Sequence, residues 1–354
     1  MSGPRTAGGT HFSAVWARLS HSRRATLGLV LLGTLALLGI FAEIVAGPAP
    51  LVAIGHGRLE LLPAVVRPAA YEHLSEEEIG SLYEGDVALW PLVRSGARTV
   101  ARVGPNAPAS RVHPLGTDAR GRDLTARLVY GARTALGLAL GAVLLGMLLG
   151  VALGGLAGHY RGFWNERLVG LVETVDTFPA IIVVALVRAI EREPSALSLV
   201  LAVAFVRWAE VARLVRAEVL RASTEDYVAA ARALGCPPVR VFWRHVLPNT
   251  MAPVVVSSVF GIASVVLLEA AISFLEMGAP TQVATWGETL AEGARDPSRL
   301  RLVLLPGLAL LATVGGSYLV ADALRDAIDP RAVRQRPDGS SHESPLSIVR
   351  SSSG

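Results

Sequence analysis

The segment from Thr134 to Ala157 is apolar and contains no charged residue. A helix needs about 20 consecutive apolar residues to cross the hydrocarbon core of a bilayer, and this segment is long enough. Composition extends the same interpretation to the rest of the chain, since 52% of the residues are hydrophobic and only 18% are charged. Soluble domains carry about 25% charged residues. The sequence therefore predicts an all-α integral membrane protein.

The apolar segments along the chain predict six membrane spans. Leu168–Val187 is ambiguous, because Glu173 and Asp176 lie in its first half and Pro179 interrupts it. Its second half is strongly apolar and its flanking loops are short, so we count it as a span. The six spans are Ala25–Ala46, Thr134–Ala157, Leu168–Val187, Ala196–Leu214, Met251–Ile272 and Leu302–Ala321.

Arginine in the short flanks of the spans predicts the orientation, because positively charged residues accumulate on the cytoplasmic side. The tail before the first span and the loop between spans four and five are both rich in arginine. With six spans, these segments and the C-terminal tail share one side, so we expect both termini to be cytoplasmic. A cleaved signal peptide is the alternative for Ala25–Ala46, but its apolar stretch exceeds the usual length of about 7–15 residues.

This topology divides the chain into five parts. They are a cytoplasmic tail at 1–24, the first span at 25–46, an external segment at 47–133, a core of five spans at 134–330 and a disordered tail at 331–354. Small residues in membrane helices allow close backbone contact, and such residues recur on one face of the second span. These residues are Gly137, Gly141, Gly146, Gly150 and Gly154.

Composition also excludes several kinds of chemistry. All 33 basic residues are arginine, so there is no lysine for a phosphate-binding loop or a Schiff base. If the protein uses ATP, another chain must bind it. The single cysteine, Cys236, permits no internal disulfide, and the eight histidines show no metal-ligand spacing. The net charge of +4 reflects arginines beside the spans rather than a nucleic-acid partner.

A polar segment at 223–249 joins the fourth and fifth spans and predicts a helix–turn–helix. Ser223, with Asp226 three residues later, is typical of a helix N-cap. Gly235 suits the left-handed conformation that ends a helix, and Pro237-Pro238 prevents its continuation. The second helix carries Val239, Phe242, Trp243 and Val246 until Pro248-Asn249 ends it.

The first of these two helices is rich in alanine and therefore narrow. A narrow helix fits deep into a groove on a partner protein. Packing against its own membrane domain is one alternative. Reading of DNA by a helix–turn–helix is another, but this segment is tethered to spans at both ends and has no soluble core to support it.

The stretch YVAAARALGCPPVRVFWRHVLPN (227–249) resembles the cytoplasmic coupling motif of ABC importer permeases. That motif has a Glu-Ala-Ala triplet, a glycine four residues after it and a final Leu-Pro. In this chain Ala229 replaces the glutamate of the triplet. The resemblance implies that an ATPase contacts the segment. The residues that it implicates are Tyr227, Ala229, Ala230, Ala231, Leu234, Gly235, His245, Leu247 and Pro248.

Five further stretches are similar to the dipeptide/oligopeptide/nickel branch of that family. They are HPLGTDARGRDLTARLVYGART (113–134), WAEVARLVRAEVL (208–220), SFLEMG (273–278), TWG (285–287) and DALRDAIDPR (322–331). The chain departs from the family pattern at Glu276 and Ala323, which replace glycines, and at Arg207, which replaces a small residue. The stretches follow the family order over residues 113–331.

The resemblance implies both a fold and a function. The fold is the MetI-like transmembrane domain of type I ABC importers, with six transmembrane helices. The function is that of a bacterial inner-membrane permease subunit for di- or oligopeptides. Its implied partners are a second permease, two ATP-binding subunits, an extracytoplasmic solute-binding protein and membrane lipid. ATP and Mg²⁺ bind to the ATP-binding subunits, and this chain binds no cofactor. The alternatives are another solute of the same family (nickel, an opine or an oligosaccharide), a secondary transporter and a membrane-embedded enzyme.

Three charged residues are predicted to lie inside the membrane. Glu269 is deep in the fifth span, where an unpaired acid is costly, so it either lines a translocation path or pairs with an arginine. We favour the structural role. Arg207 and Glu210 are three residues apart and are expected to pair near the cytoplasmic rim rather than to contact solute. On the external side, salt-linked packing is expected rather than catalysis for Asp118, Arg120, Arg122 and Asp123.

Overall fold

The structure is a computed structural model that describes residues 17–55, 58–66, 71, 74–160, 162–192, 194–278, 283–296 and 298–328. The predicted tail at 331–354 lies outside these residues. In chain order the elements are α1 (Arg23–Ile40), α2 (Ala42–Val45), β1 (Val52–Gly55), β2 (Arg58–Leu61), α3 (Pro63–Val66), α4 (Glu76–Ser81), β3 (Val87–Leu89), α5 (Leu124–His159), α6 (Phe163–Asp176), α7 (Ala180–Ile190), α8 (Ala196–Ala222), α9 (Asp226–Ala233), α10 (Pro238–Val241), a π-helical turn (Phe242–Val246), α11 (Leu247–Phe274), α12 (Trp286–Ala294) and α13 (Leu300–Ile328).

Long apolar helices dominate the fold and make the protein a helical membrane protein. Within the described residues, four helical segments are long and apolar enough to cross a bilayer, and the bent pair of α6 and α7 is a fifth candidate. Helix α8 has 27 residues and is long enough, but it contains too many arginine and glutamate residues to count as apolar by the same measure. The four segments are Arg23–Ile40, Leu124–His159, Pro238–Phe274 and Leu300–Ile328.

The third predicted span is broken where the sequence places Pro179. Helix α6 ends at Asp176, Pro179 precedes the first residue of α7, and the two helices are bent by 78°. Proline has no backbone N–H and restricts the residue before it, so a helix stops there. The direction of α7 after the break is set by its packing against α8 and α11.

Helix α5 begins ten residues before the predicted span at Thr134. Asp123 caps it, because its carboxylate accepts a hydrogen bond of 3.0 Å from the backbone N–H of Ala126. An acidic N-cap satisfies one of the unpaired N–H groups of the first turn. The extra turns carry the segment 113–123 directly into the membrane helix.

The predicted glycine face of α5 packs against α8. A Cβ atom at Gly150 would lie 2.5 Å from the Cβ of Val211, and one at Gly154 would overlap the backbone of Ala212. Gly137, at the other end of the stripe, has no heavy atom within 4 Å of its Cβ position. The close approach is therefore confined to the later turns of the helix.

The segment between α2 and α5 contains a three-stranded antiparallel sheet in the order β2-β1-β3. A small core that includes Tyr71, Ile79 and Tyr83 packs beside it. The segment is tied to the end of the first membrane helix, because Gly47 N–H donates to Val93 O and Val93 N–H donates to Val45 O, each at 3.0 Å. The sheet therefore lies close to the helix end.

Candidate functional site

The segment between α8 and α11 folds as the predicted helix–turn–helix, but its first helix starts differently. Glu225 is the N-cap of α9 and makes no side-chain capping bond. The expected cap, Ser223, instead ends α8, and its hydroxyl donates a 2.6 Å bond to the carbonyl of Val219. The prediction for Ser223 is wrong because α8 continues far enough for the serine to bond back to its own last turn.

Gly235 ends α9 in the left-handed conformation, with a φ of +78°. The N–H of Cys236 donates to the carbonyl of Ala231 at 3.1 Å, and the N–H of Gly235 donates to that of Arg232 at 3.0 Å. This pair of bonds is the Schellman motif, which satisfies carbonyls at a helix C-terminus. The prediction that Gly235 ends the helix is confirmed.

The second helix does not end at Pro248-Asn249. Helix α10, the π-helical turn and α11 form one continuous segment from Pro238 to Phe274. The N–H of Leu247 bonds to the carbonyl of Phe242, five residues earlier, immediately before the proline. The wider turn accommodates Pro248, which lacks an N–H, at the start of α11. The apolar helix α11 therefore extends directly from this segment.

The inner side of the helix–turn–helix packs against α8. Val228, Val241 and Phe242 are buried in one apolar cluster with Val215 and Val219 of α8. The phenyl ring of Phe242 also lies 4.8 Å from the imidazole ring of His159, at the end of α5. The segment is therefore packed against both α8 and the end of α5.

The outer side presents what we call the docking surface, defined as Tyr227, Ala230, Leu234 and Gly235. These residues are exposed, and Leu234 is 85% exposed. The first three are separated by three and four residues and so follow one stripe of α9. Ala231, predicted to belong with them, is buried and packs in the same inner cluster as Val228.

The other predicted contact residues lie around this surface. Ala229 and Pro248 are exposed, whereas His245 and Leu247 are half-buried. Asn249 connects the two helices, because its side-chain amide donates to the carbonyl of His245 at 2.7 Å and to the Tyr227 hydroxyl at 3.4 Å. No periodicity along the chain identifies the Asn249 contact.

Glu269 is buried in α11, with 1% of its surface exposed. One carboxylate oxygen accepts a 2.7 Å hydrogen bond from the Ser273 hydroxyl, and the other has no partner among the described residues. The arginine partner that the sequence suggested is absent from the ion pairs of the described chain. The hydrogen-bond partner of the carboxylate is instead Ser273, one turn later on the same helix.

Arg207 and Glu210 form the predicted pair, with 2.6 Å between Nη1 and Oε2. The pair lies in the middle of α8, and its expected position near the cytoplasmic rim of the membrane stays a prediction. The guanidinium passes α11 at Gly261, where an added Cβ would stand 3.1 Å from the Arg207 Cζ. Glycine at this position makes room for the arginine.

A buried ion-pair network joins the start of α5 to α12. Arg122 contacts Asp118 at 2.7 Å and Glu292 at 2.6 Å, and Arg127 contacts Glu288 at 2.7 Å. We call this network the clamp. Its members are Asp118, Arg120, Arg122, Arg127, Glu288 and Glu292.

The clamp confirms the salt-linked packing expected for the segment 113–134, although it places Asp123 with His113 instead, at 2.6 Å. Glu288 and Glu292 were missed by sequence reasoning. Their four-residue spacing in α12, directly after Trp286, was the available signal. Trp286 fixes the same helix, since its indole N–H donates to the carbonyl of Leu128 at 3.0 Å.

The clamp shifts the pKa values of its two glutamates in opposite directions. Burial raises the pKa of Glu288, but Arg127 and Arg122 outweigh it and hold that pKa below its usual value of 4.5. Burial and the nearby Asp118 raise the pKa of Glu292 more than the arginines lower it. Glu288 is therefore the acid whose charge the network stabilises most.

The long apolar helices of the described chain define the class of helical membrane proteins. Residues 150–334 match the family described as binding-protein-dependent transport system inner membrane component. The chain belongs to this family. It is a multi-pass inner-membrane protein and a component of an ABC importer.

Three relatives illustrate the similarity. The dipeptide transport system permease protein DppC of Alkalihalophilus pseudofirmus is 35% identical over 224 residues, which are 63% of this chain and 73% of that protein. DppC of Escherichia coli is 38% identical over 223 residues, with coverage of 63% and 74%. The oligopeptide transport system permease protein OppC of Bacillus subtilis is 30% identical over 229 residues, with coverage of 63% and 73%.

Proposed function

We propose that this chain is a permease subunit of an ATP-driven importer of di- or oligopeptides. The observation that carries the proposal is the similarity to permeases of peptide transport systems over about 220 to 230 residues. The aligned family region includes the docking surface and the three long helices α8, α11 and α13. No nucleotide site is assigned to this chain, because it contains no lysine.

The docking surface is the contact for an ATP-binding subunit in this proposal. Tyr227, in the first turn of α9, and Leu234, at its C-terminal cap, are amphipathic and apolar side chains exposed on the outer side of the helix. Helix-in-groove recognition uses such anchors at helical spacing. The inner cluster with Phe242 then transmits displacement of α9 to α8 and α5. When ATP binds and the two ATPases close on each other, the displacement of α9 would therefore tilt membrane helices. This tilt would switch access to the translocation path from one side of the membrane to the other.

Six spans with both termini in the cytoplasm fit the contacts between helix ends. At one end, Arg18 donates to the carbonyl of Ala327 at 3.2 Å, and His159 packs on Phe242. These contacts join the start of α1, the end of α13, the end of α5 and the start of α11. All four belong on the cytoplasmic side in a six-span topology.

The opposite helix ends also contact one another. The clamp joins the start of α5 to α12, and Arg188 at the end of α7 donates to the carbonyl of Met277, beyond the end of α11, at 3.2 Å. These contacts support α6 and α7 together as one crossing and α8 as another. The segment 47–133 and α12 are then external, facing the second permease and the solute-binding protein.

Reconstitution tests this function. The chain is co-expressed with the second permease, the two ATP-binding subunits and the binding protein that accompany it, and the complex is placed in proteoliposomes. We expect uptake of a labelled dipeptide that requires ATP and is inhibited by vanadate. Vanadate-insensitive uptake would instead indicate a secondary transporter. ATP-dependent uptake of another solute, with no uptake of peptides, would overturn the assigned substrate class.

A further inference from the structure

One face of the β-sheet is entirely aliphatic and has no packing partner among the described residues. The register places Val52 opposite Leu61 and Leu89, and Ile54 opposite Leu59 and Val87. Directly opposed residues point to the same side of a sheet. We call these six residues the aliphatic sheet face; all but the half-exposed Val52 are well exposed, up to 77% for Val87.

The other face of the same sheet is already occupied. Ala53 is buried and Ala88 is half-buried beside the core of Tyr71, Ile79 and Tyr83. The Tyr83 hydroxyl donates a 2.6 Å bond to Glu60 on this inner side. The aliphatic sheet face therefore points away from the segment's own core, and no described side chain buries it. Contiguous apolar patches of this kind mark sites of association with a protein or a membrane.

The sheet is held near the end of the first membrane helix. Helix α3 follows β2 directly and packs against α2. Only six residues separate Val45, the last residue of α2, from Val52, so the two lie at most about 25 Å apart even in an extended chain. The headgroup region beyond the hydrocarbon core is within that reach.

Exposed apolar side chains continue from the membrane helix to the sheet. Ile40 and Ile44 are exposed at the end of the first span, and Val65 and Val66 are exposed on α3, which packs beside them. The lipid-facing surface of the span is thus followed by apolar surface on α3 and then by the aliphatic sheet face.

We propose that the aliphatic sheet face rests on the outer leaflet of the membrane, with its side chains inserted among the lipid headgroups and upper acyl chains. The proposal rests on the external position assigned to 47–133 above. The cores of protein interfaces are enriched in aromatic residues and arginine, whereas this face contains only valine, leucine and isoleucine. A bilayer accepts such side chains without specific partners, and binding grows with the apolar area inserted.

Fluorescence quenching by a nitroxide lipid distinguishes a membrane from a protein as the partner of the aliphatic sheet face. Single cysteines replace Val87 on the aliphatic sheet face or Glu84 three residues earlier, both in a Cys236→Ser background. Glu84 is the matched control, because its side chain is 72% exposed and its ion pair with Arg102 is long at 3.9 Å. Each cysteine receives an environment-sensitive fluorophore in the complete transporter. The proteoliposomes contain phosphatidylcholine with a nitroxide near the headgroup.

We expect the nitroxide lipid to quench the label at position 87 at least threefold more than the label at position 84, with a blue-shifted emission at 87 only. Equal quenching at the two positions would overturn the proposal. A label at 87 that is shielded only when the second permease or the binding protein is present, without lipid quenching, would assign the face to that protein. Prior labelling of position 84 from outside intact cells tests the external position separately.

Discussion

Gly235 combines a φ of +78° with open space, since no heavy atom lies within 4 Å of the position of a Cβ. A valine there is strained by roughly 1–2 kcal/mol, because a β-branched residue rarely adopts the left-handed conformation. It meets no clash within its own subunit. We therefore expect Gly235→Val to insert normally but to lose most ATPase binding. Membrane abundance and co-purification of the ATP-binding subunits measure the two effects.

Gly162, whose positive φ is combined with a ψ of −133°, provides a control for backbone strain outside the docking surface. It also has a positive φ, of +89°, and no heavy atom within 4 Å of its Cβ position, but it lies before α6 and outside the docking surface. Gly162→Val should keep ATPase binding. Equal loss in both variants would mean that backbone strain, rather than a partner contact, causes the defect at Gly235. Ala229→Glu, at an exposed position, should keep ATPase binding as well.

Glu269 should tolerate replacement by its neutral isostere. The Ser273 hydroxyl needs only an acceptor oxygen, which glutamine supplies, and no cation pairs with the carboxylate in the described chain. We expect Glu269→Gln to retain insertion and at least half of the peptide uptake. Glu269→Leu removes the acceptor from a buried hydroxyl, which costs about 1–3 kcal/mol. Normal abundance of Glu269→Gln with no uptake would contradict a structural role and assign the carboxyl to the path.

At this scale, sequence reasoning succeeded where the local chain decides the outcome. Gly235 stands before two prolines, so its helix-ending role is local. The partner of Glu269 could not be chosen from the sequence, because an arginine elsewhere in the chain and a serine four residues later can both donate a hydrogen bond to a buried carboxylate. Burial of Ala231 beside an exposed Ala230 likewise depends on where α9 packs.

The clamp determines how strongly α12 is held. Arg127 is 1% exposed and faces Glu288 and Asp118, so removing its charge leaves buried carboxylates without a partner. Breaking a buried pair costs about 3–5 kcal/mol, whereas an exposed pair contributes about 0–1 kcal/mol. Arg127→Gln should therefore destabilise the protein far more than Arg295→Gln, whose pair with Glu276 is exposed. Thermal unfolding in detergent compares them, and similar midpoints would refute the clamp's role.

Acid should weaken the same element through Glu288. Its pKa is lowered in the folded protein, so its stabilising contribution is present above the usual value of 4.5 and disappears as pH falls through the folded pKa. The stability lost by Glu288→Gln should thus be largest at neutral pH and vanish in acid. Glu292 has a raised pKa, so Glu292→Gln should cost less at neutral pH. If unfolding curves at neutral pH show a larger loss of stability for Glu292→Gln than for Glu288→Gln, the pKa shifts assigned to the two glutamates are contradicted.

Elements differ in how far the sequence specifies them. The break at Pro179 follows from the missing N–H of proline, whereas the 78° bend depends on what α7 packs against. Pro248 also suggested a break, but the π-helical turn absorbed it because the five-residue hydrogen bond to Phe242 precedes the proline. A single proline therefore predicts the loss of a backbone hydrogen bond reliably, but it predicts the end of a helix less reliably.

For the whole molecule, the lengths of the apolar segments and the positions of the arginines carry most of the sequence information about the fold class and the topology. The fold class and the family follow from features that are local in sequence, namely apolar runs and short motifs. The number of crossings depends on α8, whose charges exclude it from a composition test while its 27 residues, about 40 Å of helix, exceed the bilayer core. In the proposed topology, contacts between helix ends add what hydropathy lacks there, because helix ends that contact each other belong on the same side of the membrane.

Cysteine labelling decides the orientation of the whole chain. In a Cys236→Ser background, a cysteine at Ser81 in α4 should react with a membrane-impermeant maleimide in intact cells, because six spans place 47–133 outside. A cysteine at Ser340 should react only after the membrane is opened. Five spans would reverse the result at 340 alone, since removing one crossing after α5 moves the C-terminus across the bilayer. Reaction at both positions would therefore exclude α8, or the α6–α7 pair, as a crossing.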